Sequence, residues 1–150
     1  MAGRKARQVR SQVSVSASAG KVWAALLDLE QIKQWWGASE GVIERRKGGA
    51  WALAWGGEGQ GYRYVVSGVI RSLAPARRLR IEPLVYFNAE HPAPGPMRMS
   101  LSLKEKDGWT RVIVRQEPLG DASNWEQYCE GATESWKETL SNLKRFLEEG

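Results

Sequence analysis

The sequence is poor in the residues that carry most catalytic and metal chemistry. Among its 150 residues are one cysteine, Cys129, and one histidine, His91. A lone cysteine cannot close an internal disulfide, which fits a reducing compartment and excludes the disulfide-stapled mini-proteins. One Cys with one His makes no zinc site, and no HxxxH, CxxC or Asp-rich calcium-loop spacing occurs, so neither a metal nor another cofactor is expected. Long apolar runs are also missing. None approaches the ~18–20 residues needed to cross a bilayer, and the basic start MAGRKARQVRSQ has no apolar stretch behind it. The expected location is cytoplasmic, with neither a membrane span nor secretion.

Charge of one sign is scarce once it is located. The 22 Lys+Arg against 17 Asp+Glu give +5, and Arg4, Lys5, Arg7 and Arg10 account for all but one unit of it. A nucleic-acid reader carries its basic residues as a stripe on a folded face, so nucleic acid is not an expected partner. Residues 1–8 read as a flexible basic lead-in. Residues 9–150 read as one domain, with no internal repeat or linker, and a domain of this size buries about 68–70% of the surface its unfolded chain exposes. Aromatics are what the sequence has in plenty. Eight Trp, four Tyr and two Phe, each able to bury ~150–250 Å², exceed what a two-layer domain needs.

The order of elements follows from periodicity. Val9, Gln12, Val13, Val15 and Ala17 form a branched, partly alternating first strand. Ser18 can cap a helix that places Val22, Leu26 and Leu29 on one face, and Asp28 with Gln31 starts a second short helix ending at Gly37. From Ser39 to Pro118 the period is two, cut by turns at Lys47-Gly48-Gly49, at GGEGQG, at Ala74-Pro75, in the stretch HPAPGP and at Lys106-Asp107-Gly108. About six strands result, each with one apolar and one polar face, which predicts an antiparallel sheet covered on one side. Ser123 and Glu126 make a capping box for a helix from Asn124 to about Leu147, whose apolar stripe includes Trp125, Tyr128, Cys129, Ala132, Trp136, Leu140 and Leu143. Lys144 and Arg145 suit its C-terminal dipole.

This is an α+β plan: a curved antiparallel sheet of six to seven strands around a long C-terminal helix, with two short helices after the first strand. A twisted sheet gripping one helix diverges from it at one end, leaving space that large side chains fill or that stays hollow. Gly131 removes bulk where the helix meets the sheet. Trp35 and Trp36 sit about 100° apart on the second helix, so they should not enter the same core, and one should line an entrance. A hollow lined by aromatic and thioether side chains is the usual form of a small-molecule site. The lining residues expected are Trp35, Trp36, Trp51, Trp55, Tyr64, Tyr86, Met99, Trp125, Tyr128 and Trp136.

Catalytic signals are weak. His91 reads as a surface residue in a Pro-rich loop, and Cys129 as a buried, inert small hydrophobe without a histidine partner. The glycine clusters sit between strands and read as hairpin turns, not phosphate cradles. Glu44, Arg71, Arg80, Glu82, Arg98, Arg115 and Glu117 mostly read as a solvated sheet face. No catalytic residue is assigned.

The segments KVWAALLDLEQIKQWWG, GGAW, YRYVVSGVIRSLAPARRLRIE, DGWTRVIVRQEPLG and YCEGATESWKETLSNLKRFLEEG together resemble the START-like (SRPBCC) helix-grip superfamily, and within it the branch named after the activator of the heat-shock-protein-90 ATPase. The resemblance covers nearly the whole chain and implies a sheet and long helix around a hydrophobic cavity. It departs at Ala38, where members often carry Pro after WWG, and around Tyr86, Phe87, Asn88 and His91, which match no motif and read as a lid loop. Three functions are then in play. The first is non-enzymatic binding of a small hydrophobic or aromatic molecule between helix and sheet. The second, which the resemblance implies, is an interaction module with a chaperone ATPase as partner. The third is a polyketide cyclase-like enzyme.

Overall fold

The computed structural model describes residues 8–57, 59–91, 93–120 and 124–149. Apart from Gln8, the basic lead-in lies outside the described residues, as do Ser123 of the capping box, Glu58 of the GGEGQG turn and Pro92 of HPAPGP.

Period-two segments become seven strands: β1 (Val9–Val15), β2 (Glu40–Ile43), β3 (Ala50–Gly56), β4 (Tyr62–Ala74), β5 (Arg78–Asn88), β6 (Met97–Lys106) and β7 (Trp109–Pro118). They form one antiparallel sheet in the order β1-β7-β6-β5-β4-β3-β2. Hairpins join β2 through β7 in sequence, and β1 closes the far side by pairing with β7. The tightest turn is at Asp107-Gly108, where φ values of 54° and 84° carry β6 into β7, the left-handed pair that matches strand twist. Register shifts in β4 at Gly68/Ile70 and Ile70/Ser72, and in β5 at Ile81/Leu84, bend the sheet toward the helices. Gly68 sits at this bend, where an added Cβ would lie 2.5 Å from Ile81 Cγ2 and 2.8 Å from the Pro83 carbonyl.

The short helices follow β1 as the capping residues require. In α1 (Ala19–Leu27) Ser18 Oγ accepts from Lys21 N, and in α2 (Leu29–Trp35) Asp28 accepts from Glu30 N and from the Gln31 side chain. Gly37 ends α2 at φ 80°, donating to the Lys33 carbonyl.

Helix α3 (Trp125–Glu149) lies across the concave face, its backbone closest to β1 and α2. Its C-terminal turns are tied down. Lys144 Nζ donates to Ser14 O at 2.9 Å and to Glu148 at 2.8 Å, and Glu148 accepts from Ser16 N at 2.8 Å. Lys144 therefore straps the helix to the end of β1 in addition to any dipole role.

The inner sheet face is apolar, as the alternation requires, but the outer face is not uniformly polar. Cross-strand register puts Ala52, Ala54, Val65, Val69 and Phe87 outward on β3–β5, and Val42, Val69 and Phe87 are exposed. The sequence predicts solvated faces throughout. The difference arises because both phases of β3 and β4 are apolar, alanines alternating with Trp51, Leu53 and Trp55 on β3 and Val65 and Val69 backing Val66 and Ile70 on β4, so period two alone does not give a solvated side.

Candidate functional site

Where α3 departs from β3–β5, a cavity of about 570 Å³ opens. Its walls come from six elements. Trp51 and Trp55 reach it from β3, Tyr64 and Val66 from β4, Leu84, Tyr86 and Asn88 from β5, Met99 from β6, Gln116 from β7, and Tyr128, Ala132, Trp136 and Thr139 from α3. Trp36 closes one side, just beyond α2. His91, Pro94, Asn124, Gln127, Gly131, Ser135, Glu138 and Asn142 form the rest of the lining, largely around the mouth.

Of the residues expected here, Trp36, Trp51, Trp55, Tyr64, Tyr86, Met99, Tyr128 and Trp136 share this lining. Trp35 and Trp125 do not: both are buried in the packing behind it. Trp35 Nε1 donates to Ala25 O at 3.0 Å, joining α2 to α1, and Trp125 packs on Tyr128 with centroids 5.3 Å apart. The expectation that Trp35 and Trp36 cannot enter one core is overturned, for their rings stack at 5.3 Å with planes 16° apart. Trp36 caps the helix in a conformation that is still right-handed, with its N–H on the Ile32 carbonyl at 2.8 Å, and the 100° step fixes only where the two Cβ atoms point, not the indoles that extend beyond them. From there the Trp36 ring meets Trp51, Trp55 and Trp136 at 6.1, 5.4 and 5.1 Å. Trp55 Nε1 donates to Trp36 O at 3.1 Å, while buried Trp51 Nε1 has no partner among the described residues.

The tyrosines form a second group. Tyr64 stacks on Tyr86 at 6.4 Å, and Tyr86 meets Tyr128 at 5.5 Å. Burial pushes both the Tyr86 and Tyr128 phenols above their ordinary value, with smaller opposing effects from Asn88 and Gln116. Tyr128 Oη donates to Gln116 Oε1 at 2.7 Å, and Gln116 Nε2 meets Met99 Sδ at 3.4 Å. No lysine or arginine is among the described residues of the lining.

Two further expectations change. Gly131 is exposed, and a Cβ there would meet nothing within 4 Å. It widens the mouth and does not relieve helix–sheet contact. Tyr86, Phe87 and Asn88 are not in a lid loop: they complete β5, with Tyr86 and Asn88 inward and Phe87 outward. His91 is exposed at the rim, next to Asn88 by a single bridge.

Sequence reasoning missed Gln116, Asn88 and Thr139. The signal for Gln116 was its phase: it follows Val112 and Val114 on the inward side of β7 and is buried. Thr139 is likewise in step with Trp136 and Leu143 on α3. Among the described residues no group of three His, Cys, Asp or Glu side chains could hold a metal, and no helix is long and apolar enough to cross a membrane.

Comparison with known proteins bears on the architecture. Residues 16–148 match the family described as Activator of Hsp90 ATPase homolog 1-like protein. No curated protein matches the chain. A solved structure from Rhodobacter sphaeroides superposes with a TM-score of 0.78 at 19% identity, covering 97% of this chain and 95% of that one. One from Mesorhizobium loti gives 0.74 at 18%, covering 95% and 98%. DynU16, of the dynemicin biosynthetic locus, gives 0.72 at 20%, covering 94% of this chain and 47% of that one. Likeness at these identities carries the fold alone.

Proposed function

The chain belongs to the family of activator of Hsp90 ATPase homolog 1-like proteins, and from that membership we propose that it binds a small, flat, uncharged hydrophobic molecule between α3 and the concave sheet, without turnover. The observation that carries this reading is a hollow of about 570 Å³, within the ~300–1,000 Å³ range of small-molecule sites. Its walls are rings that offer stacking area. The polar groups within it are mostly amides, hydroxyls and phenols, which orient a neutral guest, with His91 and Glu138 at the mouth, and among its described residues there is no lysine or arginine to hold an anionic one. Tyrosine phenols are protonated near neutrality and burial raises Tyr86 and Tyr128 further, so at that pH both act as hydrogen-bonding groups and not as bases. This supports carriage over a cyclase-like reaction. The lone Cys129 supports a cytoplasmic setting, and residues 9–150 act in this reading as one domain.

Nile red, a neutral polycyclic dye, tests the reading. Titration should give saturable one-to-one emission. Gly131→Phe, at a position lining the mouth where an added Cβ meets nothing within 4 Å, should weaken binding at least tenfold while the circular dichroism spectrum is unchanged. Equal binding by both proteins would remove the cavity as the site.

A second reading, an interaction module acting on a chaperone ATPase, is favoured by the exposed Val42, Val69 and Phe87 on the outer face. Phe87→Glu should then abolish retention of the host chaperone on the immobilised protein and leave nile red binding intact. Retention unchanged by that substitution counts against this surface.

A further inference from the structure

On the outer face of the sheet, away from the cavity, arginines from four neighbouring strands converge. Arg10 of β1, Arg115 of β7, Arg98 of β6 and Arg78 and Arg80 of β5 line a polar recess of about 380 Å³ with Ser100 among them. The register explains the convergence. Arg10 pairs with Arg115, Arg115 with Ser100, and Ser100 with Arg80, so one row across the sheet reads Arg-Arg-Ser-Arg. The sequence reading had counted Arg10 with the terminal charges; the fold places it in this row.

Carboxylates account for only part of the charge. Arg98 meets Glu82 at 2.8 Å and Glu117 at 3.3 Å, and Arg80 meets Glu82 at 3.4 Å. Arg10, Arg78 and Arg115 have no carboxylate partner among the described residues, which leaves the recess with an excess of three positive charges. Like charges directly opposite each other on neighbouring strands destabilise a sheet, and the Arg10–Arg115 pair is such a case.

We propose that this recess is an anion site for a small molecule bearing at least two phosphate groups, seated over Ser100 between Arg80 and Arg115. Ser100 contributes a small side chain and a hydroxyl at the floor. At a strand spacing of about 4.8 Å, Arg80 and Arg115 flank it roughly 10 Å apart at their backbones, and their long side chains close on a guest from two sides. A planar carboxylate is saturated by one or two guanidinium forks, whereas phosphate oxygens accept from several directions. A diphosphate also matches the excess of three charges, which a single phosphate does not. The site is independent of the aromatic cavity.

Calorimetric titration with pyrophosphate and with orthophosphate, at about 50 and 200 mM salt, tests it. Pyrophosphate should bind one-to-one, more tightly than orthophosphate and more weakly at the higher salt. Arg115→Gln should reduce its affinity at least tenfold, and without any anion should melt at or above the parent protein, because the like-charge pair is gone. Gly131→Phe should leave pyrophosphate binding unchanged. Adenosine triphosphate against tripolyphosphate separates the sources: tighter nucleotide binding assigns a base-bearing guest, and equal binding assigns the phosphates alone. The proposal is overturned if Arg115→Gln binds pyrophosphate as the parent does, or if a single-stranded oligonucleotide binds with affinity that grows with length and is not displaced by pyrophosphate, which would make the face a nucleic-acid surface.

Discussion

The two halves of α3 meet the rest of the molecule in different ways. Toward its C-terminus, Leu140, Leu143 and Leu147 join Val15, Val22, Leu26, Leu103 and Val112 in a buried aliphatic core, and the last turns are tied to β1. Toward its N-terminus, Tyr128, Ala132 and Trp136 share an open space with Trp36 and with rings from β3, β4 and β5, touching them only at its edges, Trp136 on Trp36 and Tyr128 on Tyr86. Branched and flexible aliphatic chains interdigitate until no void is left. Flat, stiff rings that hold one another in tilted pairs resist that collapse and keep walls apart. The same helix is thus packing material at one end and cavity wall at the other.

The largest expected effect should separate stability from binding. Leu143→Ala, in the closed half, should cost about 2–5 kcal/mol of unfolding free energy by denaturant titration, with nile red affinity unchanged below the transition. Loss of affinity in parallel would mean that the two halves are not independent.

Tyr128→Phe probes the open half. It leaves Gln116 Oε1 without its donor, a loss of about 1–3 kcal/mol, and it changes the alkaline limb. A phenol raised in the folded state keeps its proton where the unfolded chain has lost one, so its contribution is present below pH 10 and declines above it. Above that pH the parent protein should lose stability more steeply than Tyr128→Phe, as thermal unfolding between about pH 9 and 11 would record.

A gain of roughly 0.5–1 kcal/mol is expected from Gly131→Ala, because the site is an exposed helix interior with nothing near a new methyl group. A loss would show that the mouth is narrower than the open geometry at Gly131.

The smallest effect belongs to the tied-down end. Lys144 and the Ser16 amide hold the Glu148 carboxyl below its ordinary value, so its contribution is present above about pH 4.5 and is lost as pH falls through the lower folded value. Glu148→Gln should flatten the acid limb of the melting-temperature profile. Acid therefore loosens the closed half, and alkali the open one.

Much of this was legible in the chain. Caps at Ser18 and Asp28, the stop at Gly37, the Asp107-Gly108 hairpin and the stripe of α3 each have local causes, and the elements followed them. Within the site, alternation on β3 and β6 assigned Trp51, Trp55 and Met99 to the inner face correctly. What was not legible depended on register and on rings. Trp36 faces the hollow and Trp35 packs behind it with its Nε1 on the Ala25 carbonyl, a division that rests on side-chain directions and tertiary partners and that helical spacing does not contain. Gln116 is masked by its charged neighbours Arg115 and Glu117, although it is in phase with Val112 and Val114 on the buried side of β7. The arginine row could not be read from spacing at all, since its members come from strands far apart in sequence and meet only through cross-strand pairing.

The strap that joins Lys144 and Glu148 to Ser14 and Ser16 is only one of two anchors on α3. At the other end Asn124 Nδ2 donates to the Ala93 carbonyl at 3.4 Å and Trp125 is buried against Tyr128. A helix of 25 residues, about 37 Å long, is thus held like a beam on two supports. The height of Tyr128 and Trp136 above the strands is set by those supports, one in the closed half and one at the rim of the hollow.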